Sequence, residues 1–265
     1  MMLRRLMAHV RAQNWFAVLL DFLIVVAGVL LALWTSQWVA DREARRSAVI
    51  SQQAMDADLM FMAIGTMRRY TTHPCLADAI ARLDEAVSVE DGAEFTTPAR
   101  GRVSALQDGI FQDYYPVGLW NYPTSAFDRA VATGAFDHMD PQRAADYAVA
   151  YEWVRQIAAA NAEEEVLRSR LSLVEMVDRM DAPTRLEIRR TLAELDGWNQ
   201  GVLNSGRFLF DTMHRLAIAP TEEDRAQWRH YNELARSVRG ACVIDLPLDF
   251  TGGAVGNRWS YEVEE

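Results

Sequence analysis

The sequence predicts an all-α protein: an N-terminal transmembrane helix extended as a stalk into an elongated helical bundle, closed by a short irregular C-terminal tail. Three observations predict it. The run WFAVLLDFLIVVAGVLLALW, from Trp15 to Trp34, carries one formal charge, Asp21. Downstream, apolar residues recur at spacings of 3 and 4, the helical period. Few segments alternate with period two, so strands are not expected. The expected organisation is an amphipathic cytoplasmic segment (1–14), a transmembrane helix (15–38), a helical stalk (39–72), a periplasmic helical domain (73–242) and an extended tail (243–265).

As a helix the run from Trp15 to Trp34 spans about 29 Å, close to the ~30 Å thickness of a hydrocarbon core. Trp15 and Phe16 at one end, and Trp34 and Trp38 at the other, form the expected interfacial belt. ALWTSQWVAD offers no clean cleavage site, which favours an uncleaved signal anchor. Arg4, Arg5 and Arg11 precede the span, while Arg42, Arg45 and Arg46 follow it. The arginine count therefore ties. The amphipathic start MMLRRLMAHVRAQ suits an anionic cytoplasmic leaflet and tips the expectation to an N-terminus inside.

Asp21 lies roughly 9 Å into the span. A charge near mid-membrane costs about 2.5–3.5 kcal/mol on insertion scales, so it usually has a partner or is neutral. At 100° per residue Ala17, Asp21, Val25, Gly28, Ala32 and Ser36 share one stripe. Small residues four apart let helix backbones approach. This stripe is the expected contact face toward a second copy or another membrane protein.

The pattern after Trp38 continues as helix to about Tyr70, and Thr72 with Pro74 marks a new start. Leu76, Ile80, Leu83 and Val87 form its stripe. SVEDGAEFTTPARG reads as a loop. Ser125 to Asp128 resembles a capping box, and Gly134 ends that short helix. Asp140-Pro141 starts a long helix, expected to reach about Met180, with Tyr147, Tyr151, Val154 and Ala158 on its buried face. Asp181-Ala182-Pro183 opens the next, striped by Leu192, Leu195, Val202, Leu209, Met213 and Leu216. Gly197, Gly201 and Gly206 predict a kink or interruption there. Thr221 with Asp224 caps the last helix, whose stripe is Trp228, Tyr231, Ala235 and Val238.

The chain has 265 residues and a net charge of −10. Its first 38 residues carry three arginines and one aspartate, net +2, which leaves −12 for the remainder. An acidic domain argues against nucleic acid as a partner. All 27 basic residues are arginine. The two cysteines, Cys75 and Cys242, are either unrelated buried thiols or one disulfide in an oxidising compartment.

Two stretches, HVRAQNWFAVLLDFLIVVAGVLLALWTSQW and AFDRAVATGAFDHMDPQRAADYAVAY, together resemble a bacterial family of uncharacterised single-pass inner-membrane proteins with a domain of unknown function. They cover about a fifth of the chain. Trp34 and Ser36 stand where that family more usually has Gln and Asn. The resemblance implies an inner-membrane anchor with a helical outer domain and implies no activity.

No phosphate loop, HExxH or G-x-S-x-G occurs. GGAVG (252–256) is not followed by a recognisable helix. The DHMD turn (137–140) reads as a helix start, HPC (73–75) as a helix start with a structural cysteine, and EEE (163–165) as a solvated face. No catalytic residue, metal site or cofactor is therefore expected. In FQDYYPVGLWNYP, Tyr114, Tyr115, Trp120 and Tyr122 form either a pocket or docking loop, or an aromatic flap closing the bundle. The expected function is a non-enzymatic interaction protein in the inner membrane, a homo-oligomer or an accessory subunit of a membrane complex. A periplasmic ligand sensor signalling through a partner is the alternative, and a periplasmic enzyme the least favoured.

Overall fold

The longest element, α1 (Trp15–Val87), is a single helix of 73 residues. A computed structural model describes residues 15–88, 120–171, 174 and 179–250; the side chains of Trp15 and Ala17 and the whole of Tyr114 and Tyr115 lie outside this set, as does the 1–14 segment. After α1 come α2 (Ser125–Ala132), a 3₁₀ turn (Ala135–His138), α3 (Pro141–Arg170), α4 (Ala182–Arg215) and α5 (Glu222–Arg239), followed by a second 3₁₀ turn (Gly240–Cys242). The protein is all-α.

The two ends of α1 differ in what covers them. From Val18 to Val39 every residue is exposed, and Phe16 is too. From Ala48 onward a buried stripe begins: Met55, Leu59, Met62, Ala63, Met67 and Tyr70. These spacings of 3 and 4 place one face of the helix against α2, α3 and α4. Residues 48–72, expected as a stalk, are thus a wall of the core.

The expected break at Thr72–Pro74 does not occur. Proline inside a helix lacks an N–H for the carbonyl four residues back and crowds the preceding turn, which is why it predicted a start. Here the neighbourhood of Pro74 is held from outside. Ile244 N donates to Thr71 O at 3.0 Å. The hydroxyls of Thr71 and Thr72 donate back to Arg68 O at 3.0 and 2.8 Å. One residue beyond the proline, Cys75 is joined to Cys242 by a disulfide. These bonds and the disulfide brace the turn on either side of Pro74, and the helix runs through it.

The tail packs onto the domain as far as Phe250. It is extended, yet Val243, Leu246, Leu248 and Phe250 are buried, and Trp228 Nε1 donates to Leu246 O at 2.8 Å. Residues 251–265 lie outside the described set.

Capping chemistry sets most of the other boundaries. Asp140 and Asp181 each accept from the backbone N–H three residues on, at 2.9 Å, with proline in the first turn. Thr221 and Asp224 form a full capping box. The start of α2 is corrected: its N-cap is Thr124, whose hydroxyl bonds Asp128 at 2.8 Å, so Ser125 is already helical. Helix α3 stops at Arg170, short of Met180. The chain turns there so that Leu171, Val174 and Met180 enter an apolar cluster with Leu76, Leu83 and Leu192.

Helix α4 is uninterrupted through Gly197, Gly201 and Gly206. The reason at Gly206 is a close approach: a Cβ there would lie 2.6 Å from Thr66 Cγ2 and 2.9 Å from the Tyr70 ring. Only a glycine lets α4 sit this near α1. Burial of the Leu192-to-Leu216 stripe holds the helix against the entropic cost of its glycines.

Candidate functional site

A buried polar cluster lies where α1, α3 and α4 meet. Arg69 is 4 % exposed and Glu164 1 %. Arg69 Nη1 donates to Glu164 Oε2 at 2.7 Å and Nη2 to Oε1 at 2.5 Å, a bidentate pair. Nη2 also donates to Asn199 Oδ1 at 2.9 Å. That bond orients the Asn199 amide, whose Nδ2 then donates to His73 Nδ1 at 2.7 Å. The His73 proton is accordingly on Nε2. Burial is the main cause holding His73 below its ordinary pKa, Arg69 adds to it, and Asp196 and the Asn199 bond oppose it.

One helical turn before Arg69, Thr66 gives its hydroxyl proton to Met62 O at 2.9 Å, so Tyr122 OH donates to Thr66 Oγ1 at 3.1 Å. Burial pushes the Tyr122 phenol up from its usual range.

The cluster separates two apolar cores. On one side are Tyr70, Ala160 and Val202; on the other Leu76, Leu167 and Leu195. A charged pair in such a place contributes little net stability, because desolvation offsets attraction. It ties α1 to both α3 and α4 through the bidentate pair and the Asn199 relay.

Trp120 and Tyr122 pack on α1 from outside. The Trp120 ring lies against Gly65, where a Cβ would fall 2.0 Å from Nε1. It stacks on Phe61 with centroids 4.8 Å apart. Arg68 fits between two rings, its Cζ 4.4 Å from the Trp120 centroid and 4.1 Å from that of Tyr231. With Tyr122 bonded to Thr66, both aromatics are packed on this stretch of α1.

The chain matches no known family model, no curated protein and no solved structure. Its site therefore rests on its own residues. Among the described residues no group of three or more His, Cys, Asp or Glu side chains could hold a metal ion.

Of the expected membrane face, Asp21, Val25, Gly28, Ala32 and Ser36 are all exposed on α1, and nothing lies within 4 Å of a Cβ built at Gly28. Phe16, Trp34 and Trp38 are exposed at its two ends. The helix is long and apolar enough to cross a membrane. Two expectations need correction. Glu164, expected on a solvated face, is buried, because Arg69 compensates its charge. His73, expected at a helix start, is inside α1 and bonded to α4.

The sequence did hold a signal for this cluster. Extending the stripe Tyr147, Tyr151, Val154 and Ala158 by helical steps reaches Asn161 and then Glu164. Asn199 falls between Leu195 and Val202 on the stripe of α4. Polar residues on a buried face require partners.

Proposed function

We propose that the protein is a membrane-anchored, non-enzymatic interaction protein, working as a homo-oligomer or as an accessory subunit of an inner-membrane complex. Its N-terminus faces the cytoplasm and its helical domain the periplasm. The observation that carries this reading is the continuity of α1. One helix is exposed and largely apolar from Val18 to Val39 and then forms a wall of the core from Ala48 to Val87. A domain built around its own anchor is fixed rigidly to the bilayer, which suits assembly at a defined height and angle. The Cys75–Cys242 disulfide supports an oxidising compartment. Asp21 beside Gly28, Ala32 and Ser36 supports a packed partner within the bilayer.

The test uses one added thiol, since Cys75 and Cys242 are bonded to each other. Gly28→Cys is expected to cross-link in intact membranes, either to a second copy or to another membrane protein. Leu30→Cys, about 200° around the helix, is expected not to. Adding Asp21→Leu to the Gly28→Cys chain should weaken the cross-link. A chain that stays monomeric, with no product from either thiol, contradicts the reading.

A further inference from the structure

A second feature of α1 lies just past the apolar run, and its meaning depends on the anchoring proposed above. Trp38 is four residues beyond Trp34, about 6 Å along the axis, and Arg42 lies one more turn out. The headgroup layers add roughly 5–8 Å on each side of the hydrocarbon core. The Arg42 backbone is thus at or beyond the outer edge of that layer. Its guanidinium is not: Arg42 Cζ sits over the Trp38 ring, 5.6 Å from the centroid. Long helical side chains point back toward the N-terminus, and this one returns its charge to the depth of Trp38, the level of lipid phosphates.

The residues beside it, Trp38, Val39, Arg42, Glu43, Arg46, Ser47 and Ile50, all lie on one exposed face of α1 and edge a shallow, open groove between its side chains. Arg42 and Arg46 are one turn apart and both exposed. Among the described residues neither has a carboxylate within ion-pair distance, unlike Arg82 with Asp78 or Arg189 with Asp84. Two guanidiniums and one carboxylate give the groove a charge of +1. That balance takes one phosphodiester monoanion. Arginine forks suit phosphate oxygens, and the Trp38 ring stacks against the cation that holds them.

We propose that this groove binds the headgroup phosphate of an anionic phospholipid of the phosphatidylglycerol type, through Arg42 and Arg46. The lipid fixes the depth and rotation of α1 where it leaves the bilayer. Glu43 on the rim disfavours a second anion, so one lipid is held per chain.

The full chain, purified in detergent, is titrated with phosphatidylglycerol or phosphatidylcholine and read by native mass spectrometry, with flotation on vesicles of the same lipids as the insertion control. Wild type is expected to retain one phosphatidylglycerol at least about tenfold more strongly than phosphatidylcholine. R42Q/R46Q should lose that preference while still floating. The charge-matched control R45Q/R82Q should keep it. Equal retention of both lipids by a floating wild type overturns the lipid site and leaves the anchor intact. Loss of preference in both double variants overturns the groove, since bulk charge then explains it. Displacement by millimolar inorganic phosphate makes it a free-anion site instead. Failure of wild type to float overturns the anchor and the lipid site together.

Discussion

The two halves of α1 obey the same helical geometry and opposite solvent rules. From Val18 to Trp34 the helix is apolar around its circumference except at Asp21, and none of the described residues covers it. After Ala48 it is apolar on one stripe only, and that stripe is buried against three other helices. A helix apolar all round needs a surrounding apolar medium, whereas a striped one needs a core. The polar residues follow the same division. Among the described residues, Asp21 in the first half has no packed neighbour to answer it. Arg69 and His73 in the second are answered by Glu164 and Asn199. A membrane partner would do for Asp21 what α3 and α4 do for Arg69.

The largest expected effect contrasts one substitution in each half. Arg69→Ala leaves the Glu164 carboxylate buried and uncompensated, which should cost about 3–5 kcal/mol of domain stability. Leu30→Ala should stay within about 0.5 kcal/mol, because no core residue touches it. Urea unfolding of the chain in micelles, followed by tryptophan fluorescence, checks both. Equal losses would erase the distinction between the halves.

A smaller contrast uses glycines. Gly206→Ala drives a methyl into Thr66 and Tyr70 of α1 and should cost about 1–3 kcal/mol. A Cβ at Gly28, Gly197 or Gly201 would meet nothing within 4 Å. Alanine at Gly197 or Gly201 should raise stability by roughly 0.5–1 kcal/mol through helix propensity. At Gly28 the domain should melt as before. Thermal unfolding read by circular dichroism separates the three responses.

The smallest effect is pH dependence. His73 is held below its ordinary value of 6.5, chiefly by burial. Between its folded value and 6.5 the unfolded chain binds more protons than the folded one, so stability falls as pH drops through that window. Asp56 and Asp58 are raised above 3.8 by burial and act with the opposite sign from that pH upward. His73→Gln should flatten the slope between pH 7.5 and 5.5 while leaving the carboxylate contribution in place. An unchanged slope in melting temperature would show that His73 is not the group responsible.

Periodicity made the helical class and most caps legible, because Asp140, Asp181 and Thr221 act through local bonds that sequence displays. The same local logic misjudged Pro74 and the glycines of α4. Pro74 is accommodated by Ile244 and Cys242, more than 160 residues away in the chain. Gly206 is required by the approach of α1. Neither cause is local. The site divides the same way. The two cysteines were visible as residues, but their pairing needed the fold. Glu164 looked solvated because its partner, Arg69, sits on another helix, and only the stripe passing through Asn161 hinted that this face was buried.

The most direct measurement of the central claim compares two exposed apolar positions on one helix. Leu30 is 60 % exposed and Val49 54 %, so the protein alone treats them alike. A bilayer would not. Spin labels at each position in the reconstituted full chain can be probed with oxygen, which partitions into lipid, and with a water-soluble nickel chelate. The expected result is that Leu30 is accessible to oxygen and shielded from nickel, with the reverse at Val49. Equal nickel accessibility at the two sites would contradict the account, for α1 would then be no membrane helix.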